Sequence, residues 1–100
     1  MQAVADRLPM SAKEISRYIA RVALFKRRGW AEDKADQWAD RLALRDQQRD
    51  DRQACIECEH LQRGGTCFAA SQGWMPGVDK RLQPITDLLQ RCERFSWQKP

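Results

Sequence analysis

The sequence predicts a mainly α fold, an N-terminal helical hairpin followed by a smaller irregular module that cysteines organise. Three observations predict it. Two stretches carry apolar residues at helical spacing with capping signals between them. Glycine and proline then punctuate the chain from residue 53 onward: four of the five glycines and three of the four prolines lie there. All four cysteines fall in that same stretch. With 100 residues the chain has room for little more than one small core and is marginal without a staple.

The first helix opens at Ser11, with Glu14 three residues on, a capping box. Gly29 stops it, and Lys26, Arg27 and Arg28 sit in the last turn, where the helix dipole favours cations. On a helical wheel Ile15, Tyr18, Ile19, Val22 and Phe25 share one face, predicted to be the core face. Lys13, Arg17, Arg21 and Arg28 share the opposite one, with Leu24 oddly among them. The second helix is expected from about Ala31 to about Arg49. Glu32 and Asp33 occupy its first turn, and Ala31, Ala35, Trp38, Ala39 and Leu42 form its stripe. Beyond Leu42 the stripe fades, and Arg45 to Arg52 reads as a solvated end. The short link at Gly29 and Trp30 makes the pair an αα-hairpin or a helix-turn-helix-like corner. Ile85, Leu88 and Leu89 suggest one helical turn before Cys92. The division is thus 1–52, the hairpin, and 53–100, the cysteine module packed on it as one compact unit.

Cys55 and Cys58 form a Cys-x2-Cys pair; Cys67 follows the flexible Gly64-Gly65 return, and Cys92 lies beyond the Pro/Gly-rich excursion. Two thiolates three residues apart can bend the backbone around one ion, and four suit a structural Zn2+. Its binding free energy would order a segment that lacks a core of its own. A disulfide pair, an iron–sulfur cluster and a thiol redox pair are the weaker alternatives, since no export signal or βαβ pattern supports the first or last. His60, the only histidine, could substitute for one cysteine; an outer or surface place is the plainer expectation.

Charge is uneven. Residues 1–29 carry seven Lys/Arg against two acidic residues, a local net of +5. Residues 30–52 carry five against seven, a net of −2. The one-signed stripe Lys13, Arg17, Arg21 and Arg28 is the candidate nucleic-acid surface, with a plain solvated helix face as the alternative. Four tryptophans are many for this length. Trp38 reads as core, Phe95 and Trp97 as cover for the metal module, and Trp30 and Trp74 as possible interface anchors. The longest apolar run is four residues, Val22–Phe25, which excludes a helical membrane span. No phosphate-binding glycine loop, nucleophile elbow or zinc-protease motif occurs, so no enzyme and no small-molecule substrate are expected.

Arg21-Val-Ala-Leu-Phe-Lys-Arg-Arg-Gly29, Ala39-Asp-Arg-Leu42, Arg45-Asp46, Asp50-Asp-Arg52, Cys55-Ile-Glu-Cys-Glu-His-Leu61 and Leu89-Gln-Arg-Cys-Glu-Arg-Phe95 resemble small Cys-motif proteins of proteobacterial mobile elements: plasmids, prophages and integrative elements. The resemblance covers about residues 17–97. It implies a bacterial cytoplasmic setting, or the host cell for a phage-encoded copy, and an accessory role on such an element. The expected function is a zinc-binding accessory protein that holds nucleic acid or a nucleoprotein complex on its basic helix face. The alternative is a protein-binding inhibitor or adaptor, for example an anti-defence factor acting on a host protein complex, using Trp30, Trp74 and Leu24 around a purely structural zinc.

Overall fold

A computed structural model describes residues 9–98, and these fall into two compact units divided between Asp51 and Arg52. The first is a helical hairpin. Helix α1 spans Ala12–Arg27 and α2 spans Glu32–Gln47.

The capping box forms as the sequence requires. The Ser11 hydroxyl accepts from the Glu14 amide, and the Glu14 carboxylate accepts from the Ser11 amide, each at 3.2 Å. At the other end Gly29 adopts φ +101°, and the Trp30 amide donates to the Phe25 carbonyl at 3.0 Å while the Gly29 amide donates to Lys26. This is a Schellman motif, and the apolar contact that accompanies it is the Phe25–Trp30 ring pair, 5.3 Å between centroids. Trp38 continues the stack 6.1 Å from Trp30. Lys34 lies over the Trp30 ring and Arg41 over the Trp38 ring, so both indoles are covered by cations of α2.

The stripe of α2 buries as expected: Ala35, Trp38, Ala39 and Leu42 are all buried, while Ala31 is the exposed N-cap. It also runs further than its apolar residues suggest. Ala43 and Arg45 are buried too, so the solvated end expected from Arg45 onward begins only past Gln47.

The phase of α1 differs from the wheel. Leu24 and Phe25 are buried, but Ile15 and Ile19, expected in the core, are 47% and 64% exposed. The residues that meet α2 are Glu14, Arg17, Tyr18, Arg21 and the Leu24–Phe25 pair. Gln47 donates to Glu14, Tyr18 donates to the Asp36 carbonyl, and Arg21 donates to Asp46 at 2.8 Å. The physical reason is that α2 carries a carboxylate, Asp46, at the level of Arg17 and Arg21. An apolar wheel cannot register a polar contact of this kind. Leu24, anomalous within a basic face, is ordinary within a packing face.

The second unit, residues 52–98, is held by turns. It contains a single 3-10 turn at Cys55–Glu57, a one-turn helix α3 at Phe68–Ser71, and no strand among the described residues. The helical turn expected near Ile85–Leu89 is absent. Ile85 and Leu88 are exposed and the chain there runs through open turns, because these apolar side chains find no buried face that would hold a helical turn in place. Among the described residues no helix is long and apolar enough to cross a membrane.

Candidate metal centre and interaction surfaces

The cysteines come from three stretches, and local hydrogen bonding brings the stretches together. Cys55 and Cys58 flank the 3-10 turn, closed by the Cys58 amide on the Cys55 carbonyl at 3.0 Å. Glu57, itself buried, accepts from the Ala54 amide at 3.1 Å and fixes the turn's start.

Cys67 returns through a tight loop. Gly64 and Gly65 both lie at positive φ, Gln62 donates to the Thr66 carbonyl at 2.8 Å, and Leu61 bridges Cys67. Cys67 is therefore set beside Leu61, three residues past Cys58. Cys92 is clamped from both sides. Gln53 and Gln90 exchange backbone hydrogen bonds at 2.7 and 2.8 Å, and beyond Cys92 the Glu59 amide donates to Ser96 while Cys58 bridges Trp97. Each bridge is locally antiparallel, but the order Gln53–Gln90 then Cys58–Trp97 means that the two stretches advance in the same direction, with Cys92 between the two bridges.

All four thiols are free, Cys58 buried and the others half-buried. They lie within electrostatic reach of one another. Burial first, then the charges of Cys58, Cys92 and Cys67, push the Cys55 thiol up to about 11, and only the Gln90 amide opposes this. Cys58 is raised chiefly by burial, against hydrogen bonds from the Ser96 and His60 backbones, with Cys67 and Cys92 adding to the rise. The four sulfurs thus share one neighbourhood, in which ionising one raises the cost of ionising Cys55 and Cys58. Among the described residues no group of three or more His, Cys, Asp or Glu side chains is assembled to hold an ion as it stands. The four sulfurs are gathered, then, but not drawn into a coordination shell.

His60 reaches the sulfurs through its backbone, donating to Cys58 Sγ at 3.4 Å. Its imidazole belongs instead to a ring cluster, stacked on Phe68 at 6.3 Å and edge-on to Trp74 at 5.9 Å. Phe68 and Trp74 remain 37% and 44% exposed. Phe95 and Trp97 pack edge-to-face at 4.7 Å, with Trp97, which bridges Cys58, 53% exposed.

The basic stripe of α1 is partly consumed. Arg21 is nearly buried on Asp46, and Arg17 reaches the same carboxylate at 3.5 Å. Lys13 is exposed and Arg28, at the C-cap, half-buried. Of the anchors considered for a protein partner, Leu24 is in the core and Trp30 is stacked between Phe25 and Trp38, leaving Trp74. Sequence reasoning overlooked Phe68, Gln90 and Asp46. Phe68 follows Cys67 directly and Gln90 precedes Cys92 by two, so proximity to a ligand was the available signal for both.

No family model, curated protein or solved structure matches this chain. Function must therefore be read from the geometry above.

Proposed function

We propose that this chain is a small zinc-binding accessory protein. One structural Zn2+ on Cys55, Cys58, Cys67 and Cys92 orders residues 52–98, and the folded protein engages nucleic acid or a nucleoprotein complex. The observation that carries the zinc is the gathering of four free thiols from three stretches, with hydrogen bonds aimed at two of the sulfurs. An all-sulfur donor set fits zinc, which has no geometric demand beyond tetrahedral closure. Bound zinc supplies a cation that offsets the repulsion among four sulfurs and ties the three stretches together. This chain's residues supply the ligands and the N–H donors.

Elemental analysis of the purified full chain is expected to find one zinc per chain. Cys67→Ser and Cys92→Ser should each lose it. Full-length protein that carries no zinc and takes up none when titrated would end this reading. Iron with visible absorbance would replace it with a cluster.

For the partner, Lys13, exposed in the first turn of α1, and Arg28, half-buried at its C-cap, are the stripe cations to vary, since Arg21 holds Asp46 within the hairpin. Lys13→Gln/Arg28→Gln is expected to weaken DNA binding and to lower the salt slope by between about one and two. Binding unaffected by that pair, or none at low salt, removes the basic face from consideration. A charge reversal at Arg21 is an unsuitable test because it opens the hairpin. The exposed Phe68–Trp74 pair favours a second reading, a protein-binding adaptor. A pull-down partner lost in Trp74→Ala but kept in Lys13→Gln/Arg28→Gln would select it.

A further inference from the structure

The hydrogen bonds to the four sulfurs are unequal. The Gln90 side-chain amide donates to Cys55 Sγ at 3.3 Å. The backbone amides of His60, at 3.4 Å, and of Ser96 donate to Cys58 Sγ. Neither Cys67 nor Cys92 receives an N–H donor on sulfur from the described residues. Gln90 is also held in place. Its own backbone pairs with Gln53 in both directions, and its amide further approaches the Ile85 carbonyl at 3.5 Å. A side chain so fixed presents its N–H at one spot. An N–H on a thiolate sulfur withdraws electron density, holds the ligand's orientation and lowers its nucleophilicity, as outer partners of metal ligands do elsewhere.

Resting on the zinc reading above, we propose that Gln90 is a positioning residue of the thiolate centre, its amide holding the Cys55 sulfur for the metal, and that Cys67 and Cys92 are the thiolates an electrophile reaches first. The site then has a fixed edge, Cys55 and Cys58, and a labile edge, Cys67 and Cys92. Attack at the labile edge would release the Cys67 and Cys92 stretches from the metal while leaving the Cys-x2-Cys turn intact.

The test uses the zinc-loaded full chain. Gln90→Leu keeps the size and removes the donor; Gln90→Glu keeps the shape and replaces the donor with a charged acceptor. Competition with a chromophoric chelator is expected to show zinc held about 10–100-fold more weakly in both. In the cobalt-substituted protein the sulfur-to-metal charge-transfer band should shift in both variants, a change that general loosening would not produce in Gln90→Glu if its far-UV spectrum is preserved. In wild type, N-ethylmaleimide should label Cys67 and Cys92 about tenfold faster than Cys55 and Cys58, the ratio a charge-assisted hydrogen bond supports. In that step sulfur adds across the maleimide double bond, one S–C bond forms, and the neighbouring carbon takes a proton from water. In Gln90→Leu the labelling of Cys55 should accelerate and that of Cys58 should not. Wild-type protein that binds no metal overturns the centre itself. Zinc bound with unchanged affinity and spectrum in both variants, or Cys55 labelled first in wild type, overturns the role of Gln90 while leaving the centre standing.

Discussion

Asp46 shows how one side chain can set a helix phase. Its two oxygens receive Arg21 at 2.8 Å, Arg17 at 3.5 Å and Arg45 at 2.9 Å, and Arg45 is itself almost fully buried. Burial alone would raise this carboxyl, but the hydrogen bonds and charges of Arg21 and Arg45 outweigh it and hold it below the ordinary aspartate value. A carboxyl depressed in the folded state stabilises the fold above its unfolded pKa of about 4, and that contribution is lost as pH falls through the lower folded value. Acid titration followed by circular dichroism should therefore show hairpin stability flat near neutrality and declining below about pH 4. Asp46→Ala should flatten that decline. It should also destabilise the protein by about 2 kcal/mol in urea unfolding, since three arginines lose a shared acceptor and Arg45 among them is buried. A loss under about 0.5 kcal/mol would mean the arginines are satisfied elsewhere. None of this was legible in the sequence, where Arg17 and Arg21 stand 29 and 25 residues from Asp46 and look like a solvated basic stripe.

At the scale of elements, ends were more legible than faces. Caps depend on residues adjacent in the chain, so Ser11, Glu14 and Gly29 announce themselves. Faces depend on a partner that a wheel does not contain, and Ile15 and Ile19 were assigned to the wrong side for that reason. The end of α2 repeats the geometry of the first without its glycine. Asp50 donates to the Arg45 carbonyl at 3.1 Å and Arg49 to Asp46 at 3.2 Å, so Arg49 occupies the left-handed position at φ +57°. A side chain there costs about 1 kcal/mol that glycine avoids, set against glycine's greater unfolded freedom. Arg49→Gly is expected to raise stability by about 0.5 kcal/mol, read as an upward shift in Tm, and Arg49→Val to lower it. If Arg49→Gly lowers Tm, the arginine side chain contributes more than its backbone costs.

At the scale of the whole molecule the two units rest on different physics. The hairpin has an apolar seam of Phe25, Trp38, Leu42 and three alanines, drawn from two helices with proper ends. Residues 52–98 bury mainly Ala54, Ile56, Cys58, Ala69 and Ala70, a core too small to offset the chain entropy of so many ordered turn residues. Its cysteines could be picked out in the sequence because their spacing is a chemical requirement; the path between them could not, because isolated bridges such as Gln53–Gln90 leave no periodic pattern. Removing the proposed zinc should consequently be felt unevenly. With excess chelator, hydrogen exchange is expected to accelerate most at the amides that gather the thiols, Gln53, Cys58, Glu59 and Gln90, and least within α1 and α2, whose hydrogen bonds owe nothing to sulfur. Readdition of zinc should restore protection at those four amides together, since one ion ties their stretches. Exchange that rises equally in both units, or in neither, would mean that the C-terminal unit is held by something other than its sulfurs.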